Sequence, residues 1–285
     1  MRFSITLAAL LVLLCAANAF AAIKETRRPN ILLISADNLG YGDLGCYGNT
    51  AIKTPNLDQL AREGVRCTEF YVAAASCTPS RASLLTGRHP ERNGLNHQLG
   101  GKENLEGIGL RHSEKLLPQF LKPAGYVTAC FGKWNIGFAP GSRPTERGFD
   151  EFFGFASGNI NYYTHVYSHR KDLFRGTNAV EVPGYSTDLF ADAAIDFMRR
   201  KKEQPFFIYL PFNAPHFNSS GNMNPGEKPI WQAPDDAFKR YGLSPDEPDE
   251  KKRYYAVVTA LDTAIGRVMK EIDTLGLRDQ TLVMF

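Results

Sequence analysis

The run of residues 76–88, Ser-Cys-Thr-Pro-Ser-Arg-Ala-Ser-Leu-Leu-Thr-Gly-Arg, places a cysteine and an arginine where both could act on an anion. Pro79 favours a helix start and Gly87 a helix end, so Cys77 is predicted at or just before a helix N-terminus, where free N–H groups favour negative charge. If the helix already includes Cys77, then Arg81, four residues later, lies on the same face of the helix. The planar guanidinium group of arginine suits the binding of tetrahedral oxyanions. A thiolate nucleophile and a buried thiol both remain open, because spacing does not separate them.

Polar residues also follow several continuous apolar runs, which are typical of parallel strands covered on both faces. The predicted strands are residues 29–36, 126–131, 205–212 and 281–285. The first leads into Asp37 and Asn38, the second into Lys133 and the third into His216. Ligands in such sheets bind at the carboxyl ends of the strands. We therefore expect these four side chains to share one site.

Helical patterns separate the predicted strands. One begins at Pro55 and is stopped by Gly64, and the others cover residues 187–202 and 252–275. This alternation predicts an α/β fold with a mainly parallel central sheet sandwiched between helices. Residues 140–185 and 217–250 are rich in Gly, Pro, Asn and aromatic residues and are predicted to be long irregular loops.

A Gly-x-Gly-x-x-Gly match at residues 40–45 follows the first predicted strand. It does not open a helix, because the next helix begins only at Pro55, and a dinucleotide site is therefore not expected. We interpret the match as a loop in which several glycines let the backbone turn beside Asp37.

Composition excludes some classes of protein. The chain has 285 residues, 43% of them hydrophobic, so it can bury a core, and its formal net charge of +3 is too small to predict nucleic-acid binding.

The N-terminus has the pattern of a signal peptide. Arg2, the apolar residues 7–14 and a small-residue cleavage site predict a signal peptide over residues 1–21, hence export without a stable membrane anchor. Cys46, Cys67 and Cys130 fit small buried residues or one incidental disulfide.

Cys-Thr-Pro-Ser-Arg followed by Leu-Leu-Thr-Gly-Arg resembles the signature of the type I sulfatases, whose cysteine a maturation enzyme oxidises to formylglycine. Residues 36–45 resemble the family's first metal-binding motif, residues 132–134 its second signature and residues 213–216 its third active-site segment. These matches keep the family's order from about residue 29 to the end of the chain. The resemblance implies an alkaline phosphatase-like fold that is incomplete at the C-terminus. It assigns residues 22–285 to a partial N-terminal catalytic domain, without the family's C-terminal subdomain.

The resemblance implies hydrolysis of sulfate monoesters, of carbohydrate or aryl compounds. The predicted signal peptide indicates export to the periplasm, the extracellular space or a lysosome-like lumen. Asp37 and Asn38 are implied to bind a calcium ion together with the formylglycine oxygen at position 77, in agreement with calcium's preference for oxygen ligands. The implied partners are a sulfated small molecule or glycan and the formylglycine-generating enzyme.

By the same resemblance, Arg81 would hold and activate the hydrated aldehyde made from Cys77. Lys133 would bind sulfate, and His216 would bind sulfate or protonate the leaving oxygen. One hydroxyl of the hydrate would attack sulfur, and the other would expel sulfate as the aldehyde forms again. From the residues alone, Asp37 could instead cap a turn, Lys133 could be a solvated charge and His216 a packed ring.

Three departures from the family pattern affect these expectations. Asn38 stands where the family usually has a second aspartate, which predicts weaker calcium binding. Asn135 stands where the family generally has histidine, and an amide cannot transfer a proton at neutral pH. The family's strand corresponding to residues 281–285 runs into an Asp-Asn pair and a further lysine, and this chain ends before them. The chain as written is therefore expected to be weakly active or inactive.

Two alternative functions remain open at this level. One is hydrolysis of phosphonates or phosphodiesters, which related enzymes perform with the same converted cysteine. The other is an inactive fragment that binds sulfated glycans, which the two asparagines and the missing terminus would favour. His165 and His169 could line a substrate pocket, although aromatic packing on a loop is the simpler interpretation.

Overall fold

The apolar runs of the sequence form the strands of one sheet. The computed structural model describes residues 28–107, 109–228 and 230–285. Its strands are β1 (Asn30–Ser35), β2 (Val127–Lys133), β3 (Glu151–Phe155), β4 (Val166–Tyr167), β5 (Arg170–Lys171), β6 (Phe174–Arg175), β7 (Asn178–Ala179), β8 (Phe206–Pro211) and β9 (Thr281–Met284). The seven-stranded sheet has the order β7-β6-β3-β2-β8-β1-β9, while β4 and β5 form a separate antiparallel pair.

Five of these strands run parallel, as the continuous apolar runs predict. β1 lies between β8 and β9, and β2 lies between β8 and β3, all in parallel register. In the seven-stranded sheet, β6 pairs antiparallel with β3 and with β7. The carboxyl ends of β1, β2 and β8 consequently lie side by side at one edge of the sheet.

Helices cover both faces of the sheet. They are α1 (Pro55–Glu63), α2 (Cys77–Thr86), α3 (Pro90–Asn93), α4 (Gly101–Leu105), α5 (Leu117–Leu121), α6 (Ser186–Lys201), α7 (Asp235–Lys239) and α8 (Glu250–Thr274). Successive residues of β8 alternate between two hydrophobic clusters: Phe206 and Ile208 pack on the side of α6 and α8, whereas Phe207 and Tyr209 pack on the side of α2. Because successive side chains point to opposite faces and both faces are covered, apolar residues stand at consecutive positions of β8. The predicted α/β sandwich is confirmed.

The predicted strands and long helices agree with the structure to within two residues. α8 begins earlier than predicted because the Asp249 carboxylate accepts hydrogen bonds from the backbone N–H groups of Lys251 and Lys252. Among the residues that the structure describes, no helix combines the length and the apolar character needed to cross a membrane. The predicted signal peptide, residues 1–21, lies outside the described residues.

The prediction of an irregular loop over residues 140–185 is wrong. This segment contains β3, a parallel neighbour of β2, and the β6–β7 hairpin. One glycine of this segment, Gly154, lies inside β3 opposite Gly132, where any Cβ would overlap the Gly132 carbonyl oxygen. The glycine therefore permits close approach of two strands and does not end one. Residues 217–250 are largely irregular, apart from α7 and a short 3₁₀ turn at Ser220–Asn222.

Candidate functional site

The polar residues that follow the parallel strands meet at one edge of the sheet. Asp37 lies just beyond β1, Lys133 is the last residue of β2, and His216 follows β8. The backbone N–H of Asp37 donates to the carbonyl of Ala214 over 3.0 Å, which ties the end of β1 to the segment that carries His216. The predicted convergence of these strand ends is observed.

Asp37 is the centre of a buried charge cluster. Its Oδ2 lies 2.5 Å from Lys133 Nζ, and its Oδ1 lies 3.5 Å from Arg81 Nη2 and 3.4 Å from Cys77 Sγ. Lys133 has no exposed surface and Asp37 only 4%. Burial raises the pKa of Asp37, but the positive charges of Lys133 and Arg81 outweigh it, so that its pKa lies below the usual value. The carboxylate is therefore ionised.

Cys77 is the first residue of α2, as the proline and glycine signals predict. Arg81 follows one turn later, and its Nη1 donates to the Lys133 carbonyl over 3.2 Å and to the Tyr209 hydroxyl over 3.3 Å. Its Nε–H is buried and has no hydrogen-bond partner among the described residues. Arg81 therefore keeps one donor available beside Cys77 and Asp37.

A second unpartnered donor comes from Asn135. The Thr78 backbone N–H donates to Gln98 Oε1 over 3.0 Å, which orients the Gln98 amide so that its Nε2 donates to Asn135 Oδ1, also over 3.0 Å. The Thr78 hydroxyl donates to the same Asn135 oxygen over 3.2 Å. Asn135 Nδ2 is thereby directed away from both, and it is buried without a partner among the described residues. The sequence carries no signal for Gln98, because the contact joins three separate segments.

His216 is half-buried beside this cluster. Its Nδ1 lies 2.7 Å from the carbonyl oxygen of Phe217 and 3.2 Å from Asn159 Nδ2. Burial lowers the pKa of His216, and Lys133 lowers it further against the opposing effect of Asp37. The neutral imidazole is therefore the predominant form near pH 7.

The donor set indicates which metal this edge of the sheet could bind. Within the described residues, Asp37, Cys77 and His216 can place one ligand atom each within 4.8 Å of one another. A thiol, an imidazole and a carboxylate suit a softer ion than calcium, whereas an oxygen in place of the sulfur restores the hard donors that calcium prefers. Asn38 follows Asp37 with a left-handed backbone (φ 68°), and its side chain is exposed at this edge. Asp37, Asn38 and an oxygen on residue 77 therefore fit calcium in type, although calcium takes six to eight oxygens.

Other sequence candidates lie away from this cluster. His165 is buried, with a left-handed backbone, in the loop before β4, and its Nε2 has no partner in the described part of the chain. Its burial agrees with the packing interpretation. Cys46, Cys67 and Cys130 are free thiols, of which Cys130 is buried and Cys67 exposed, so the interpretation as small buried residues holds for Cys130 and is wrong for Cys67.

Comparison with protein families identifies the family of this chain. A model of the sulfatase family matches residues 29–285, nearly the whole of the described chain. The chain belongs to the sulfatase family.

Relatives of this sulfatase chain agree with the assignment. Human N-acetylgalactosamine-6-sulfatase is 35% identical over 276 residues, covering 90% of this chain and 49% of the relative. Human arylsulfatase A is 33% identical over 300 residues, covering 93% of this chain and 52% of the relative. The crystal structure of Ps i-CgsB in complex with k-i-k-neocarrahexaose matches with a TM-score of 0.78 and 32% identity, over 90% of this chain and 57% of that one. The chain thus spans about half the length of the curated relatives that it matches.

Proposed function

We propose that this sulfatase chain carries the nucleophile half of an active site that hydrolyses sulfate monoesters. The observation that supports the proposal best is the cluster around residue 77: a helix N-terminus, a buried lysine, a buried arginine and two unpartnered N–H donors. A sulfate monoester is anionic and repels nucleophiles, so its hydrolysis requires fixed donors and cations around the sulfate oxygens.

Lys133 and Arg81 are the cations in this proposal. Both contact Asp37, whose ionised carboxylate holds their charged groups in place before substrate arrives. Lys133 would bind a sulfate oxygen, while the free Nε–H of Arg81 would hold the oxygen borne by residue 77. Asn135 would add a fixed donor there and, being an amide, would move no proton. His216 would bind sulfate or give a proton to the leaving oxygen.

Residue 77 would act as formylglycine, made from Cys77 by a maturation enzyme, because an aldehyde hydrate supplies one hydroxyl for attack and a second for release of sulfate. Calcium would be held by Asp37, Asn38 and the oxygen of residue 77, and when bound it would polarise the attacking oxygen and neutralise developing charge. Residues 1–21 would export the protein as a signal peptide.

A sulfated carbohydrate is the substrate class that we favour over a simple aryl sulfate. The names of two similar proteins refer to sugars, N-acetylgalactosamine-6-sulfatase and a structure in complex with k-i-k-neocarrahexaose.

Two measurements test the proposal. Mass spectrometry of protein co-expressed with a formylglycine-generating enzyme should find an aldehyde at position 77 and an intact thiol at Cys67, an exposed cysteine outside the motif that serves as an internal control. The full-length gene product should then hydrolyse a sulfate ester faster than the matched phosphodiester, and Cys77→Ala should abolish turnover. Sulfate turnover with an intact thiol at position 77, or faster phosphodiester cleavage, would refute the assignment. An intact thiol without turnover would favour glycan binding instead.

A further inference from the structure

The hydrogen bonds around His216 determine which of its ring nitrogens carries a proton in the neutral form. Nδ1 lies 2.7 Å from the carbonyl oxygen of Phe217, which can only accept a hydrogen bond. An unprotonated Nδ1 would place two lone pairs against each other at that distance. Nδ1 therefore carries the hydrogen, and Nε2 keeps a lone pair in the neutral ring.

A relay of two buried asparagines leads to the same carbonyl. The Ser168 backbone N–H donates to Asn222 Oδ1 over 3.1 Å, and because a backbone N–H cannot accept, this contact sets the orientation of the Asn222 amide. Asn222 Nδ2 then donates to Asn159 Oδ1 over 3.0 Å, which sets the orientation of the second amide. Asn159 Nδ2 is left facing Phe217, whose carbonyl accepts its hydrogen bond over 3.0 Å.

The relay is built into the fold. Asn222 has no exposed surface and Asn159 only 5%. Ser168 and His169 both adopt left-handed backbone conformations, and the His169 N–H donates to the Gly221 carbonyl over 2.7 Å, so a second bond joins the same two loops. A strained turn that is held at two points keeps the first donor of the relay in place.

We infer that the relay from Ser168 through Asn222 to Asn159 is a positioning device for His216. It holds the Phe217 carbonyl against Nδ1 and so directs Nε2 to the site. Asn159 Nδ2 also lies 3.2 Å from Nδ1, a contact that by itself would suit an unprotonated Nδ1. The Phe217 carbonyl is closer, at 2.7 Å, and because it can only accept, it determines that Nδ1 carries the hydrogen. One ring nitrogen of His216 lies within 4.8 Å of the Asp37 carboxylate and the Cys77 sulfur, and Nδ1 is already engaged. The inference rests on the proposed role of His216: because Nδ1–H is held by the carbonyl, Nε2 is the nitrogen that takes up a proton and then binds sulfate or gives that proton to the leaving oxygen. It names Asn159 and Asn222 as positioning residues that touch no substrate.

Nitrogen NMR of ¹⁵N-histidine-labelled protein tests the inference directly. At about pH 8, above the unperturbed histidine pKa of about 6.5, His216 should show a protonated Nδ1 and an unprotonated Nε2. His216→Gln identifies its resonances by their loss. A wild-type ring protonated at Nε2 would overturn the inference.

Asn159→Ala should convert the single tautomer of His216 into a mixture. Asn161→Ala is the matched control, because Asn161 is a buried asparagine in the same loop without a hydrogen bond to His216 or to the Phe217 carbonyl. Unchanged His216 resonances in Asn159→Ala, or an equal change in the control, would overturn the relay. The measurement needs neither turnover nor conversion of Cys77, so its outcome is independent of whether sulfate hydrolysis is the correct function.

Discussion

Replacing Lys133 by methionine measures how far the cluster around Asp37 depends on its buried cation. The side chain of Lys133 has no exposed surface, and its Nζ lies 2.5 Å from a carboxylate that is also buried. Opposite charges about 4 Å apart attract by about 4 kcal/mol at an effective dielectric constant of about 20. Removing one partner of a buried pair typically costs about 3–5 kcal/mol. Because Arg81 still compensates Asp37 at 3.5 Å, we expect Lys133→Met to lower the free energy of unfolding by about 2–4 kcal/mol.

Lys122→Met is the matched control. Lys122 also lies 2.5 Å from an aspartate, Asp150, but these side chains are 45% and 37% exposed. Exposed pairs contribute about 0–1 kcal/mol, so urea unfolding should separate the two variants clearly. Equal losses for the two variants would refute the view that burial determines the strength of the pair at Asp37.

The pH dependence of the loss gives a second check. In the wild type, the pKa of Asp37 is lowered, so its charge stabilises the fold above its unfolded value of 3.8, and this contribution is lost as pH falls through the folded pKa. Without Lys133, one of the charges that offset burial is gone, so we expect the pKa of Asp37 to be higher than in the wild type, and a protonated Asp37 needs no cation. The cost of Lys133→Met should therefore be smaller near pH 5 than near pH 7.5. A larger cost at the lower pH would contradict the reasoning.

Three further predictions concern single positions. Gly132→Ala should lower the free energy of unfolding in urea by at least about 3 kcal/mol, because the new Cβ would overlap the Pro211 carbonyl and the backbone φ of 129° is strained for alanine. Gly176→Ala is the control: its φ is also positive but the space around it is open, so the same measurement should give a loss of about 1–2 kcal/mol. Burial raises the pKa of Asp172 to about 6, so the protonated carboxyl is the form that the fold favours. This contribution to the free energy of unfolding is complete below pH 3.8 and is lost as pH rises through about 6. A midpoint near pH 4 in the carboxyl ¹³C NMR titration of Asp172 would contradict this. Asn38→Asp restores a second carboxylate and should tighten calcium binding about tenfold in calorimetric titration, and unchanged affinity would exclude Asn38 from the metal site.

The buried cluster and the relay act on different parts of the site. Asp37 holds two cations in place through charge, whereas Asn159 holds His216 through neutral hydrogen bonds. Lys133→Met should therefore leave the tautomer of His216 unchanged, and Asn159→Ala should leave the pairing of Asp37 unchanged. Together the two variants separate binding of the anion from handling of the leaving-group proton.

The sequence by itself determined the parallel strands, the long helices and the positions where polar residues follow the strands. Strands covered on both faces are largely apolar along their length, so β1, β2 and β8 could be found without a structure. The edge where Asp37, Lys133 and His216 meet then follows from the parallel arrangement. The motif around Cys77 likewise depends only on residues close together in the chain.

Contacts between distant segments were decided only by the tertiary structure. β3 was not predicted because residues 140–185 are rich in Gly, Pro and Asn, which are typical of loops. The place of Gly154 opposite Gly132 in a neighbouring strand is seen only in the structure. Gln98 and Asn159 lie in loops with no periodicity, and their roles come from amide groups oriented by partners 20 to 63 residues away. A hydrogen bond fixes an amide or an imidazole through distance and direction, and neither quantity is encoded in the spacing of residue types along one chain.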